Sequence, residues 1–188
     1  MPSPEDVDQI VQLTLRRPAT CGRTKVVSVD GPAGSGKTTL AAALADALGA
    51  LGLDMAVLHM DDFYEGWAGL QPDLEPRLVG QVFEPLSDER TARWQRYDWH
   101  AEAFDGWIDL PVVDVLVLEG CGSGARLYDP YRTTLVWIEA DRATRIARGI
   151  ERDGEQVLPL WLSWMDREEA HFRLNGTRGR ADVALRTA

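Results

Sequence analysis

Residues 25–40 read Lys-Val-Val-Ser-Val-Asp-Gly-Pro-Ala-Gly-Ser-Gly-Lys-Thr-Thr-Leu, and Gly31 to Thr38 within them form a complete G-x-x-x-x-G-K-T pattern. The apolar run from Lys25 to Asp30 predicts a buried strand, and the stretch from Thr39 to Leu48 predicts a helix. A strand, a glycine-rich turn and a helix aim successive backbone N–H groups and the positive end of a helix dipole at one point. Polyphosphate oxygens fit there. Gly31, Ala33, Gly34, Ser35, Gly36, Lys37, Thr38 and Thr39 are therefore the expected nucleotide-binding residues, with Lys37 reaching the β/γ-phosphates and the Thr38 hydroxyl holding Mg²⁺. The plainer alternative is a glycine-rich turn met by chance, and the strand-loop-helix context opposes it.

At 188 residues the chain suits one domain, 1–188, large enough to bury a substantial core. Hydrophobic residues make up 45%, yet no segment approaches the roughly 18 uninterrupted apolar residues of a membrane span, so no membrane partner is expected. The opening Met-Pro-Ser-Pro-Glu-Asp lacks the basic and apolar regions of a signal peptide, which predicts a cytoplasmic protein. Cys21 and Cys121 lie far apart without metal-ligand spacing and read as reduced thiols.

The formal charge of −10 opposes a broad nucleic-acid surface, which carries a basic patch. A nucleotide or a small metabolite needs only local positive charge and remains compatible, as does a homo-oligomer. Arg supplies almost all the basic groups, which reads as codon bias at surface positions.

Along the chain, Asp8 to Arg17 predicts a short amphipathic helix closed by Pro18. Asp54 to Met60 predicts a second strand, stopping at Asp61-Asp62. A long irregular stretch, 63–111, is rich in Pro, Gly and Trp, with Ser87 as the expected cap of a short helix inside it. Val112 to Leu118 predicts a third strand and Thr133 to Glu139 a fourth. Helices are expected near Asp141–Arg152 and Leu158–Asn175, then a last strand at Ala181–Leu185. The alternation implies an α/β fold, a doubly wound sheet of about five mainly parallel strands with helices on both faces.

In such sheets ligands bind beyond the carboxyl ends of the strands. That edge collects the phosphate loop, Asp61-Asp62-Phe63-Tyr64 and Glu119-Gly120. A phosphate cradle with carboxylates near Mg²⁺ and an acceptor hydroxyl is what phosphoryl transfer needs.

The order Gly31–Thr38, Asp61-Asp62-Phe63-Tyr64, Arg96-Tyr97-Asp98-Trp99, Ala103-Phe104-Asp105 and Glu119-Gly120 resembles the uridine kinase and phosphoribulokinase group of P-loop kinases. That group carries Asp-Ser-Phe-Tyr after the second strand, a later Tyr-Asp and Ala-Phe-Asp, and Glu-Gly ending the third. The resemblance covers most of residues 24–153. It implies ATP and Mg²⁺ as cofactors, Asp61 as general base or metal contact, and Glu119 as a contact to Mg²⁺, directly or through water. Asp62 stands where the group has Ser, which adds negative charge and leaves open which of the two carboxylates is the base.

Arg142, Arg145, Arg148 and Arg152 fall on one helix face. In the resembling kinases this region, about 141–154 here, is a lid whose arginines close over phosphate. Arg148 and Arg152 are the expected contacts; the plainer reading is a solvated face paired with Glu139, Asp141 and Glu151. The 63–111 insertion is the expected substrate-binding element. Tyr64, Arg96, Tyr97 and Asp98 are its substrate candidates, while Trp94 and Trp107 read as the core of a subdomain. His59 reads as a packed strand residue, Trp161, Trp164 and Phe172 as a helix packing face, and Glu168, Glu169 and His171 as a polar helix face.

The combined reading is an ATP- and Mg²⁺-dependent small-molecule kinase acting on a hydroxyl of a nucleoside, sugar or related metabolite. The alternatives are a nucleotide-hydrolysing switch, opposed by the lack of an Asn-Lys-x-Asp motif, and a silent nucleotide-binding protein, opposed by Asp61 with Glu119.

Overall fold

A computed structural model describes residues 2–188. Helix α1, Pro4–Arg16, starts earlier than the apolar pattern suggested, because Ser3 and Asp6 close a capping box: the Ser3 hydroxyl accepts from the Asp6 amide, and the Asp6 carboxylate from the Ser3 amide. Strand β1, Lys25–Asp30, runs into the glycine-rich loop, and α2, Lys37–Ala50, leaves it. Strand β2 is Met55–His59.

The 63–111 stretch is not irregular. Helix α3, Leu74–Leu78, continues through a widened turn into α4, Glu84–Ser87, so Ser87 closes a helix rather than capping one. Strands β3, Ala92–Asp98, and β4, Ala103–Leu110, then form an antiparallel hairpin. A register shift between Trp94 and Arg96 breaks the alternation by which sequence would reveal it. Phe63, Phe83, Leu86 and Trp94 fuse this insertion to the main core. Trp94 is buried and stacks on Phe63 at 4.6 Å, whereas Trp107 is 50% exposed and is no part of a core.

Strand β5, Val115–Glu119, begins after Val112 and Val113, which only lead into it. Then come β6, Thr134–Glu139, α5, Arg142–Asp153, α6, Leu158–Asn175, α7, Thr177–Arg180, and β7, Val183–Arg186. The sheet has five strands in the order β2-β5-β1-β6-β7, all parallel. Its faces separate by alternation: Val27, Val29, Val115 and Val117 pack on α1 and α2, while Val26, Leu116 and Leu118 face the insertion and α6. Central strands buried on both faces read as continuous apolar runs, which is why Lys25–Asp30 is legible. Among the described residues no helix is long and apolar enough to cross a membrane. Both cysteines are free and buried.

Candidate active site

The loop after β1 turns through left-handed glycines. Gly34, at φ 78°, passes so close to α5 that a Cβ there would sit 2.8 Å from the Arg145 carbonyl oxygen. Gly36, at φ 96°, is the N-cap of α2, and no side chain caps that helix. The first helical bond recorded there runs from the Leu40 amide to the Gly36 carbonyl, so the amides of Lys37, Thr38 and Thr39 belong to the unpaired first turn. All three residues line a cleft of about 490 Å³ with Ala33, Gly34 and Gly36. Gly31 and Ser35 shape the loop from outside the cleft lining, Ser35 being fully buried.

Lys37 is buried and its ammonium donates to the carbonyls of Gly31 at 2.8 Å and Pro32 at 3.0 Å. Burial opposes that charge, but Cys121, Glu119, Glu168 and Asp30 outweigh it and hold the Lys37 pKa above its ordinary value. Asp30, a residue the sequence reading passed over, is wholly buried and accepts from the amides of Gly31 at 2.7 Å, Gly122 at 2.9 Å and Gly124 at 2.9 Å. It ties the phosphate loop to the loop after β5. Its burial pushes its pKa up to about 6 against those donors. The available signal was a carboxylate ending an otherwise apolar strand.

At the ends of β2 and β5, Glu119 Oε1 accepts from the Thr38 hydroxyl at 3.1 Å and lies 2.5 Å from His59 Nδ1. His59 is thus no core residue: its side chain is 43% exposed, and the bond to Glu119 raises its pKa. Asp61 opens into the cleft with its pKa raised, first by desolvation within the cleft walls and then by Glu119. Asp62 instead points to the hairpin and pairs with Arg96 at 3.1 Å.

Of the α5 arginines, Arg148 and Arg152 line the cleft. Arg148 donates to the Gly34 carbonyl at 3.0 Å and the Thr187 hydroxyl at 3.2 Å. Arg152 forks onto Asp153 at 2.8 and 2.9 Å and lies 5.6 Å over Trp161. Arg145 pairs at 2.8 Å with Glu168, which is 2% exposed and also accepts from the Ala33 amide at 2.8 Å. Glu168 is therefore a buried brace for the loop, not part of a polar face. His171 is partly buried, while Glu169 is exposed.

Tyr64 lines the cleft and donates its hydroxyl to the Cys121 carbonyl at 2.6 Å. Arg96, Tyr97 and Asp98 do not reach it: Arg96 serves Asp62, Tyr97 packs on Phe104 and Trp99, and Asp98 accepts the amides of His100 and Ala101 in the hairpin turn. Trp67, Trp99, Trp161 and Trp164 occupy that wall instead. Periodicity assigned Trp161 and Trp164 to packing, and they do pack, but one side of each borders the cleft.

The donor set fits a polyphosphate and its metal. An uncapped helix start, loop amides and a buried ammonium suit phosphate oxygens, and the Thr38 hydroxyl with the Glu119 carboxylate suits Mg²⁺, which takes few protein ligands beside phosphates. Among the described residues no group of three His, Cys, Asp or Glu side chains could hold a metal alone.

Solved structures sharing this fold include a possible uridine kinase from Bacillus stearothermophilus, 23% identical at TM-score 0.69 over 95% of this chain and 96% of that one. A candidate fructose transport system kinase from Silicibacter sp. TM1040 is 23% identical at TM-score 0.58, over 95% and 98%. D-glycerate 3-kinase from Cryptococcus neoformans var. grubii is 15% identical at TM-score 0.58, over 89% and 87%. The chain has the fold of the P-loop kinases. No family model matches it, and a search of curated proteins gave no match. Those structural neighbours are named for unlike molecules, and a shared fold does not carry one of those activities to this chain.

Proposed function

We propose that this protein is an ATP- and Mg²⁺-dependent kinase that phosphorylates a hydroxyl of a small metabolite, such as a nucleoside or a sugar. The observation that carries the reading is the convergence on one cleft of the uncapped start of α2, the Thr38–Glu119 pair and the open carboxylate of Asp61. The loop amides and Lys37 would hold the β- and γ-phosphates of ATP, with Thr38 and Glu119 as the Mg²⁺ residues. Mg²⁺, when bound, neutralises phosphate charge.

Asp61 takes the proton of the acceptor hydroxyl as the oxygen–phosphorus bond forms and the bond to the β-phosphate oxygen breaks, releasing ADP. A raised pKa suits a carboxylate for this, since it brings base strength nearer the working pH. Arg148 and Arg152 turn from Gly34 and Asp153 toward the transferred group as α5 closes, where guanidinium charge matters most in the transition state. Closure also excludes water, so ATP consumption depends on the acceptor.

The test is phosphate transfer to candidate hydroxyl compounds followed by mass spectrometry, with free phosphate counted in parallel. Phosphorylated product with slow hydrolysis in the absence of acceptor is expected. Rapid release of free phosphate with no phosphorylated product would replace the kinase by a hydrolysing switch.

A further inference from the structure

The acceptor side of the cleft is built differently from its phosphate side. Lys37, Arg148 and Arg152, its lining cations, are committed to loop carbonyls or to Asp153, and all belong to the phosphate loop or α5. Around Asp61 the wall is aromatic, formed by Tyr64, Trp67, Trp99 and Trp164. Arg167 donates to the Trp67 carbonyl at 3.3 Å and does not line the cleft. The acceptor wall thus carries a carboxylate and π-faces and no cation of its own; the charges that reach Asp61, those of Lys37, Arg152 and His59, come from outside it.

The rings stand on edge to one another. Trp67 meets Trp99 at 6.0 Å and 79°, and Trp164 at 6.4 Å and 81°, while Tyr64 and Trp164 are tilted by 58° at 4.9 Å. A planar base held between rings needs two parallel faces, and none of these three ring contacts is parallel. The stacked pairs, Phe63 with Trp94 and Phe83 with Tyr131, lie outside the cleft. Near-perpendicular rings suit a compact charge better than they clasp a plane, because a single ring face attracts a cation without a second face parallel to it. The adjoining Trp161 already receives a guanidinium, that of Arg152, at 5.6 Å.

We propose that the acceptor is an alcohol carrying an organic ammonium group, which the box of Trp67, Trp99 and Trp164 holds while its hydroxyl faces Asp61. This rests on the kinase reading and narrows it. An acidic acceptor would set its charge against Asp61 beside a wall whose aromatic residues offer no cation of their own. An uncharged one would gain apolar contact but no attraction to the ring faces.

The test uses matched probes. Intrinsic tryptophan fluorescence is titrated, at constant ionic strength, with tetramethylammonium, choline, 3,3-dimethylbutan-1-ol as the uncharged isostere of choline, and D-glycerate. Choline is expected to bind at least about tenfold more tightly than its isostere, the scale of a desolvated cation–π contact. Trp99→Ala should remove that preference with the unfolding temperature retained, since Trp99 is 40% exposed on a hairpin. Equal binding of the isostere, tighter binding of D-glycerate, or no response to either ammonium overturns the inference. Phosphate transfer on the same compounds separates the two readings. Transfer confined to uncharged or acidic alcohols ends the ammonium inference and leaves the kinase standing; ammonium binding with only free phosphate released leaves the box and ends the kinase.

Discussion

His59 Nδ1 lies 2.5 Å from Glu119 Oε1, the same oxygen that accepts the Thr38 hydroxyl at 3.1 Å. Both contacts fall on one oxygen, and among the described residues no donor reaches Oε2, so the pair turns one face of the carboxylate toward the cleft. A group that orients a metal-facing carboxylate tunes how tightly that carboxylate holds its metal. His59→Ala should therefore raise the Mg²⁺ concentration for half-maximal turnover about tenfold or more, with kcat at saturating Mg²⁺ changed far less. A magnesium titration of both proteins decides it. An unchanged midpoint would reduce His59 to a surface residue.

Asp61 and Asp62 are neighbours with different surroundings, and that difference predicts different costs. Asp61→Asn removes the cleft carboxylate and should lower acceptor-dependent turnover by roughly 10²–10⁴-fold, with a smaller effect on ATP affinity. Asp62→Asn breaks the 3.1 Å pair with a half-exposed Arg96, worth about 1 kcal/mol or less, and should leave turnover within a few-fold. Equal losses in steady-state kinetics would mean that the base was placed on the wrong carboxylate.

What could be read from sequence, and what could not, follows from the range of the forces involved. Lys25–Asp30, the glycine loop and Leu158–Asn175 were legible because a continuous apolar run, a glycine pattern and helical spacing are local. The hairpin of Ala92–Leu110 was not, because its bulge shifts the alternation. Glu168 and Asp30 were missed as braces because burial is set by partners far along the chain: Arg145 and Ala33 for Glu168, Gly122 and Gly124 for Asp30. The Asp62 substitution was visible in sequence, but its answer, Arg96, had been assigned to the substrate. The acceptor wall escaped for a related reason, since Trp67 and Trp99 gave no period and Trp161 and Trp164 gave one that also describes packing.

Lys37 tests the phosphate side independently of the acceptor. Lys37→Met keeps the stem and removes the charge that sits over the loop carbonyls. Turnover should fall by about 10²–10³-fold, the cost of losing one preorganised charge in a closed site. Far-ultraviolet circular dichroism should be unchanged, and calorimetry should record weaker ATP binding. A folded variant with normal turnover would refute the assignment.

Two groups, Asp30 wholly buried and His171 partly buried, set an unusual pH dependence of stability. Burial pushes Asp30 up from 3.8 to about 6 and holds His171 down from 6.5 to about 4. Between pH 4 and 6 the folded protein keeps a proton on Asp30 and none on His171, while the unfolded chain keeps one on the histidine and none on the aspartate. The proton counts match, so this pair contributes almost no slope. His171→Gln leaves Asp30 alone, and stability should then rise relative to wild type as pH falls from 6 to 4, because the folded state binds the extra proton. Asp30→Asn leaves His171 alone, and stability should fall relative to wild type from pH 6.5 to 4. Each divergence should approach about 3 kcal/mol across its window, from shifts of somewhat over two pKa units. Asp30→Asn also sets an amide against one loop N–H and starts from lower stability, so the slope, not the absolute value, carries the test. Urea unfolding at half-unit steps from pH 7 to 4 measures both slopes, and parallel curves for the two variants would exclude the compensation.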